Sequence, residues 1–136
     1  MVTGINHMTL AVGDLERAFA FYTGVLQLTP VATWTRGAYL LAGEDWICLS
    51  LDPDARTTPH PDYTHLAFSV APGEFEARVA ALRAHGAVEW KQDRSEGASL
   101  YVLDPDGHKL ELHVGDLHSR LAALAAQPYE GLRLHV

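Results

Sequence analysis

His7-Met8-Thr9-Leu10-Ala11-Val12 and His65-Leu66-Ala67-Phe68-Ser69-Val70 are two versions of one six-residue segment. Each begins with histidine, alternates like a half-buried strand and leads into a stretch whose apolar residues recur at helical spacing. Such a repeat predicts a fold built twice from one unit, with His7 and His65 at equivalent points of the two halves. Two imidazoles related by an approximate twofold can face one place between the halves, which is how a duplicated scaffold acquires a metal site.

Beyond the first segment, Asp14 precedes Leu15, Ala18, Phe19 and Tyr22, an apolar stripe that predicts a helix with Asp14 as its N-cap. Residues 29–35, 37–42 and 46–51 read as three short strands separated by turns at Arg36-Gly37 and Gly43-Glu44-Asp45. Residues 1–52 are thus expected to form a β-α-β-β-β module. The stretch 52–62, rich in Pro, Thr and Asp, reads as a linker. The order then recurs in a second module over residues 63–136: a strand at 65–70, a helix at 73–85 closed by Gly86, and strands at 88–91, 100–103 and 109–114. Asp104-Pro105-Asp106-Gly107 supplies the last turn. A terminal helix at 117–126, carrying Arg120, has no counterpart in the first half. The expected class is α+β, one domain over residues 1–136.

The 136 residues suffice for one compact domain with a core. Ten Lys plus Arg against 17 Asp plus Glu give a formal charge of −7, which argues against a nucleic-acid surface. Any anion must therefore be held by a local pocket. The apolar runs fall short of membrane-spanning length, no charged-then-apolar leader precedes the first strand, and Cys48 is the single cysteine. These features lead us to expect a cytoplasmic protein that binds no membrane.

On the final strand Glu111 and His113 point one way, opposite Leu110, Leu112 and Val114. With His7 and His65, Glu111 would complete a two-histidine, one-carboxylate set that leaves coordination positions open, suited to Mn²⁺, Fe²⁺, Zn²⁺ or Ni²⁺. The plainer alternative has both histidines satisfied by backbone groups and Glu111 facing water. His113 and His108 are set aside as direct ligands, each remaining an outer partner or a solvated side chain. His60, His85, His118 and His135 read as surface residues.

The polar run from Lys91 to Tyr101 contains Gly97 and is longer than a plain hairpin needs, so it reads as a functional loop. Lys91, Arg94, Ser95, Ser99 and Tyr101 offer cationic and hydroxyl donors for a phosphate- or phosphonate-like group, and Arg120 can add a bidentate contact. A solvated surface loop is the competing reading.

Asn6 through Val12, Asp62-Tyr63-Thr64-His65, Trp90-Lys91 with Arg94-Ser95-Glu96-Gly97, and the run from Asp104 to Gly115 together resemble the FosA-type fosfomycin-resistance thiol transferases. These belong to the vicinal oxygen chelate superfamily, which also holds glyoxalases and extradiol dioxygenases. The resemblance extends to Gln127-Pro128-Tyr129-Glu130-Gly131, and Arg-Ser-Glu-Gly is its most specific element. It implies a vicinal oxygen chelate fold in which two βαβββ modules form a cupped mixed sheet within a module-exchanged homodimer. It also implies Mn²⁺ on His7, His65 and Glu111, with His7 reaching the site of the other subunit. K⁺ would lie on Asp93, Ser95, Glu96, Gly97 and Ser99. Lys91, Ser95, Ser99, Tyr101 and Arg120 would grip the phosphonate of fosfomycin, with Thr9 beside the epoxide oxygen. Among these, Thr9, Lys91, Tyr101 and Arg120 are the expected catalytic residues. Asp93 departs from the pattern, because relatives commonly carry Asn there.

An epoxide opens when a nucleophile attacks carbon while charge grows on oxygen, a change that a Lewis acid stabilises. The resemblance implies glutathione as nucleophile, with Trp34, Tyr39, Trp46 and Cys48 lining its approach; core packing is the alternative for these four. Relatives that hydrolyse the epoxide carry a glutamate base in the stretch matching Trp34-Thr35-Arg36, where this chain has no carboxylate. Glu44, the nearest acid, sits in a turn. A transferase reading is therefore preferred over a hydrolase, over a glyoxalase-like lyase or dioxygenase, and over a non-catalytic drug-binding module.

Overall fold

The computed structural model describes residues 1–93 and 96–135. In the first module β1 (His7–Val12) leads into α1 (Leu15–Ala20), which continues as a π-helical turn over Phe21–Val25. β2 (Thr29–Trp34), β3 (Gly37–Ala42) and β4 (Asp45–Leu51) follow. The second module repeats the order: β5 (Leu66–Ser69), a 3₁₀ turn at Pro72–Glu74, α2 (Phe75–His85), β6 (Glu89–Lys91), β7 (Ser99–Leu103) and β8 (Lys109–His113). α3 (Leu117–Ala126) closes the chain. Element order and bounds match the expected pattern to within a few residues.

Each module makes one mixed four-stranded sheet, ordered β1-β4-β3-β2 and β5-β8-β7-β6. β1 runs parallel to β4 and β5 parallel to β8, while the remaining pairs are antiparallel. Alternation gives each sheet two unlike faces. One face buries Leu10, Val12, Ala38, Leu40, Ile47 and Leu49 in the first module and Leu100, Val102, Leu110 and Leu112 in the second. These join Phe21, Tyr22, Val79 and Leu82 from the helical segments in one core drawn from both modules. Burying each large apolar side chain contributes about 1.5–3 kcal/mol, so this shared core is the main force joining the halves. The opposite faces carry the polar and aromatic side chains of the candidate site.

The β7–β8 turn fastens one module to the other. Asp104 Oδ2 accepts a 2.6 Å bond from the Tyr22 hydroxyl, and Asp106 Oδ1 accepts from Gly13 N at 2.8 Å and Arg17 Nη2 at 3.2 Å. Asp104 Oδ1 also receives Asp106 N and His108 N, which pins the turn itself. His108 Nε2 lies 2.8 Å from the Ala11 carbonyl, so this histidine is a cross-module strut rather than a solvated turn residue. Burial, reinforced by the neighbouring Asp104 carboxylate, pushes the Tyr22 phenol well above its ordinary range. Desolvation likewise raises Asp104 despite the bond from Tyr22.

Candidate active site

The second module positions most of the expected site on the open face of its sheet. Tyr101 is the register partner of both Glu111 and Lys91, and Glu111 is that of Ala67, so these residues share one face. His65 immediately precedes β5 and reaches the same place. A cavity of about 240 Å³ is lined by Tyr63, His65, Lys91, Tyr101, Glu111, Arg120 and Tyr129. A larger cleft of about 500 Å³ opens between the modules, but apart from His7 and Trp46 it contains none of the expected chemistry.

Glu111 is buried to 7% exposure at the floor of the smaller cavity. Its Oε1 lies 3.0 Å from His65 Nε2, and its Oε2 accepts a 2.7 Å bond from the Ser99 hydroxyl. His65 Nδ1 is 2.8 Å from the Tyr63 carbonyl, which can only accept, so Nδ1 donates and Nε2 is turned toward the carboxylate. The imidazole nitrogen and the carboxylate oxygen are aimed at one place, and the ring and the carboxylate are each held by an outer hydrogen bond. This is the donor chemistry of a divalent-ion site.

At the cavity mouth Lys91 Nζ stands 4.6 Å from the ring centroids of both Tyr63 and Tyr101 and donates to the Tyr63 hydroxyl. That bond holds the lysine pKa above its ordinary value, keeping the ammonium charged. Arg120 projects from α3, whose start is fixed by a capping box in which Asp116 accepts from Ser119 N at 2.8 Å. Partial desolvation works against the Arg120 charge, and the bonds to Glu96 and Tyr129 outweigh it. Arg120 Nε lies 3.3 Å from Glu96 Oε1, and its planar fork can grip an anion bidentately. Two cations, the Tyr101 hydroxyl and a carboxylate–histidine pair thus converge within one small volume.

The loop from 92 to 98 is tied across its mouth by Asp93, whose Oδ2 accepts from Ser99 N at 2.9 Å. An Asn side chain could offer the same oxygen, so the Asp at this place keeps that bond. Gly97 adopts a left-handed conformation, φ +68°, with its Cα so near Val114 O that an added Cβ would lie 2.3 Å from it. Ser95, expected in both the phosphonate and K⁺ sets, and Arg94 lie outside the described residues. Asp93, Glu96, Gly97 and Ser99 are present around the loop.

The first-module residues gather on a different surface. His7 and Thr9 are register partners of Trp46 and Cys48, and Cys48 pairs in turn with Tyr39. An aromatic row runs Trp34–Tyr39–Trp46–His7 with centroid separations of 4.7, 5.1 and 4.4 Å. Gly37 makes this possible, because an added Cβ would lie 2.5 Å from the Trp34 ring. Cys48 is buried, whereas Trp34 and Tyr39 are exposed at 47% and 38%. His7 contacts Asn6 Oδ1 at 2.7 Å and lines no part of the His65–Glu111 cavity. Within one chain, no group of three or more His, Cys, Asp or Glu among the described residues converges to hold a metal ion. Tyr63 and Tyr129 are site residues not singled out from spacing. Tyr63 stacks on His65 at 4.9 Å and 24°.

Residues 4–112 match the model of the Glyoxalase/Bleomycin resistance protein/Dioxygenase superfamily. The chain is 51% identical over 134 residues to glutathione transferase FosA of Serratia marcescens, covering 97% of this chain and 95% of the relative. It is 40% identical over 127 residues to metallothiol transferase FosB of Shouchella clausii, covering 90% and 87%. Among solved structures it is similar to the fosfomycin resistance protein FosX from Mesorhizobium loti, with TM-score 0.75, 30% identity and coverage of 89% and 99%. It is also similar to FosX from Listeria monocytogenes, solved as a variant with Mn(II) and 1S,2S-dihydroxypropylphosphonic acid. That likeness has TM-score 0.78, 28% identity and coverage of 90% and 98%.

Proposed function

The chain belongs to the Glyoxalase/Bleomycin resistance protein/Dioxygenase superfamily, and from that premise we propose that it is a metal-dependent glutathione transferase that inactivates fosfomycin. The observation that carries this reading is the convergence of Lys91, Tyr101 and Arg120 above the His65–Glu111 pair. Such a cavity suits a small phosphonate with a reactive oxygen beside it.

His65 and Glu111 would hold the divalent ion, Mn²⁺ by analogy with the Listeria protein, with His7 of the partner subunit completing the set. When bound, that ion supplies Lewis-acid polarisation of the epoxide oxygen. Lys91, Tyr101 and Arg120, with Ser95, bind the phosphonate and fix the electrophilic carbon in place, while Ser99 beneath them bonds Glu111. Thr9, on the same face as His7, would arrive with it and donate a hydrogen bond at the epoxide oxygen. The aromatic row of Trp34, Tyr39 and Trp46, with Cys48, would cover the approach of glutathione. Attack by the thiolate forms a C–S bond as the C–O bond breaks, and the electron pair left on oxygen takes up a proton. We assign K⁺ to the loop of Asp93, Ser95, Glu96, Gly97 and Ser99, where it would stiffen the phosphonate grip.

The assembly we infer is a module-exchanged homodimer. Its support is that one chain separates His7 and Thr9 from the cavity holding His65 and Glu111. Bringing the first-module face of one subunit over the second-module face of the other joins the two sets. A cytoplasmic location fits the single, unpaired Cys48, and no helix among the described residues is long and apolar enough to cross a membrane.

Incubation with fosfomycin, glutathione, Mn²⁺ and K⁺, followed by mass spectrometry, tests the proposal. A glutathione adduct is expected. Hydrated fosfomycin would make the protein a hydrolase, and unchanged but tightly held drug would make it a sequestering protein.

A further inference from the structure

His113 was set aside as a direct ligand by its spacing from Glu111, yet its ring is held with more care than a solvated strand residue needs. Its Nδ1 lies 2.6 Å from Ser99 Oγ and 3.4 Å from Glu111 Oε2. Its Nε2 lies 3.2 Å from Glu96 Oε1, the oxygen that also receives Arg120 Nε at 3.3 Å. The side chain is 13% exposed. Gly115 leaves room for the ring, because an added Cβ there would lie 2.8 Å from His113 Nε2.

The Ser99 hydroxyl has one proton and donates it to Glu111 Oε2, so the short contact with His113 Nδ1 requires that nitrogen to donate. The Ser99 oxygen is thereby fixed from behind, and the carboxylate it bonds loses rotational freedom. Glu111 has its other oxygen on His65. Carboxylates that ligate metals depend on such outer hydrogen bonds for orientation.

We propose that His113 is a positioning residue for the cation site, orienting Glu111 through Ser99 by its Nδ1 donor. The inference rests on the divalent-ion reading of His65 and Glu111. The essential half of the ring is the Nδ1 side; the Nε2 side faces Glu96 Oε1, which receives Arg120 Nε.

Two substitutions separate the halves of the imidazole. His113→Asn places an amide donor near the Nδ1 position, whereas His113→Gln carries its amide to the Nε2 position and removes the Nδ1 donor to Ser99 Oγ. Mn²⁺ binding to the full-length protein, measured without fosfomycin or glutathione by the electron paramagnetic resonance of free Mn²⁺, reads the effect directly. We expect His113→Gln to weaken Mn²⁺ by about 10- to 100-fold, and His113→Asn by less than about threefold, with the metal-free proteins melting alike. Wild-type affinity in both variants overturns the proposal, as does equal loss in both. Should His113→Gln fail to fold, Ser99→Ala breaks the same link from its other end. It is expected to show a loss of similar size, and unchanged affinity there also overturns the proposal. Wild-type protein that binds no Mn²⁺ would instead remove the divalent-ion reading beneath it.

Discussion

Cys48 and Glu111 occupy equivalent places in the two halves of the molecule. Cys48 pairs in register with Thr9 on one side and Tyr39 on the other, as Glu111 pairs with Ala67 and Tyr101. The duplicated unit has therefore diverged at its central position, with a buried carboxylate beside one histidine and a buried thiol near the other. One open face supplies charge and hydroxyls, the other an aromatic row. Neither is a complete site for an epoxide, a phosphonate and a thiol.

A test of the complementary arrangement follows directly. If each site takes His7 from one subunit and Glu111 from the other, His7→Ala and Glu111→Ala homodimers should both be nearly inactive. After mixing, unfolding and refolding, half the dimers are hybrids with one intact site. Turnover should then recover to about a quarter of the wild-type value. No recovery would place the whole site within one chain.

The duplicated scaffold could be read from the alternating segments after His7 and His65, because half-buried strands print their period on the sequence. The same holds for α3, where Leu117, Leu121 and Leu124 recur at helical spacing around Arg120. Register could not be read, so the Cys48–Glu111 equivalence was hidden: the side chains at those positions share no chemistry. Tyr63 lies between the linker and β5 and Tyr129 follows α3, in stretches where no periodicity marks a residue's direction. The bond from His108 to the Ala11 carbonyl crosses between modules, a contact that turn chemistry alone does not encode. The π-helical turn after α1 was equally invisible, since Phe21 and Tyr22 continue the apolar stripe.

Arg120→Ala should act on the anion and spare the cation. The guanidinium is held by Glu96 at the cavity edge, whereas Glu111 is ordered by His65 and Ser99. Loss of a charged hydrogen-bond donor is worth about 1.5–3 kcal/mol, so KM for fosfomycin should rise roughly ten- to a hundredfold. Mn²⁺ affinity measured without drug should change little. A large fall in Mn²⁺ affinity would show that Arg120 instead supports the metal ligands.

Tyr22→Phe should weaken the junction between modules, because Asp104 Oδ2 loses its 2.6 Å donor in a buried setting. The expected cost is about 1–3 kcal/mol by chemical denaturation. Its pH dependence has a definite sign. The folded-state phenol titrates above its unfolded value of 10.0, so in the interval between them the folded protein binds the extra proton. Stability from this group is full below pH 10.0 and is lost as pH rises through the folded value. The gap between wild type and Tyr22→Phe should accordingly narrow in alkali. A gap that widens there would mean that the hydroxyl is not what the fold protects.

Gly97→Ala probes the loop through its backbone. At φ +68° an alanine is strained whatever the space, and here its Cβ would meet Val114 O at 2.3 Å. Neither partner is the end of a flexible side chain, so the loop must shift away from β8. A conformational penalty of about 1–3 kcal/mol is expected, drawn from a segment that carries Glu96 on one side and Ser99 on the other. Because Glu96 orders Arg120 and Ser99 bonds Glu111, the displacement should raise KM for fosfomycin and lower Mn²⁺ affinity together, unlike Arg120→Ala. A Gly97→Ala protein that loses thermal stability but keeps both affinities would show that the loop's contact with Val114 serves the fold alone.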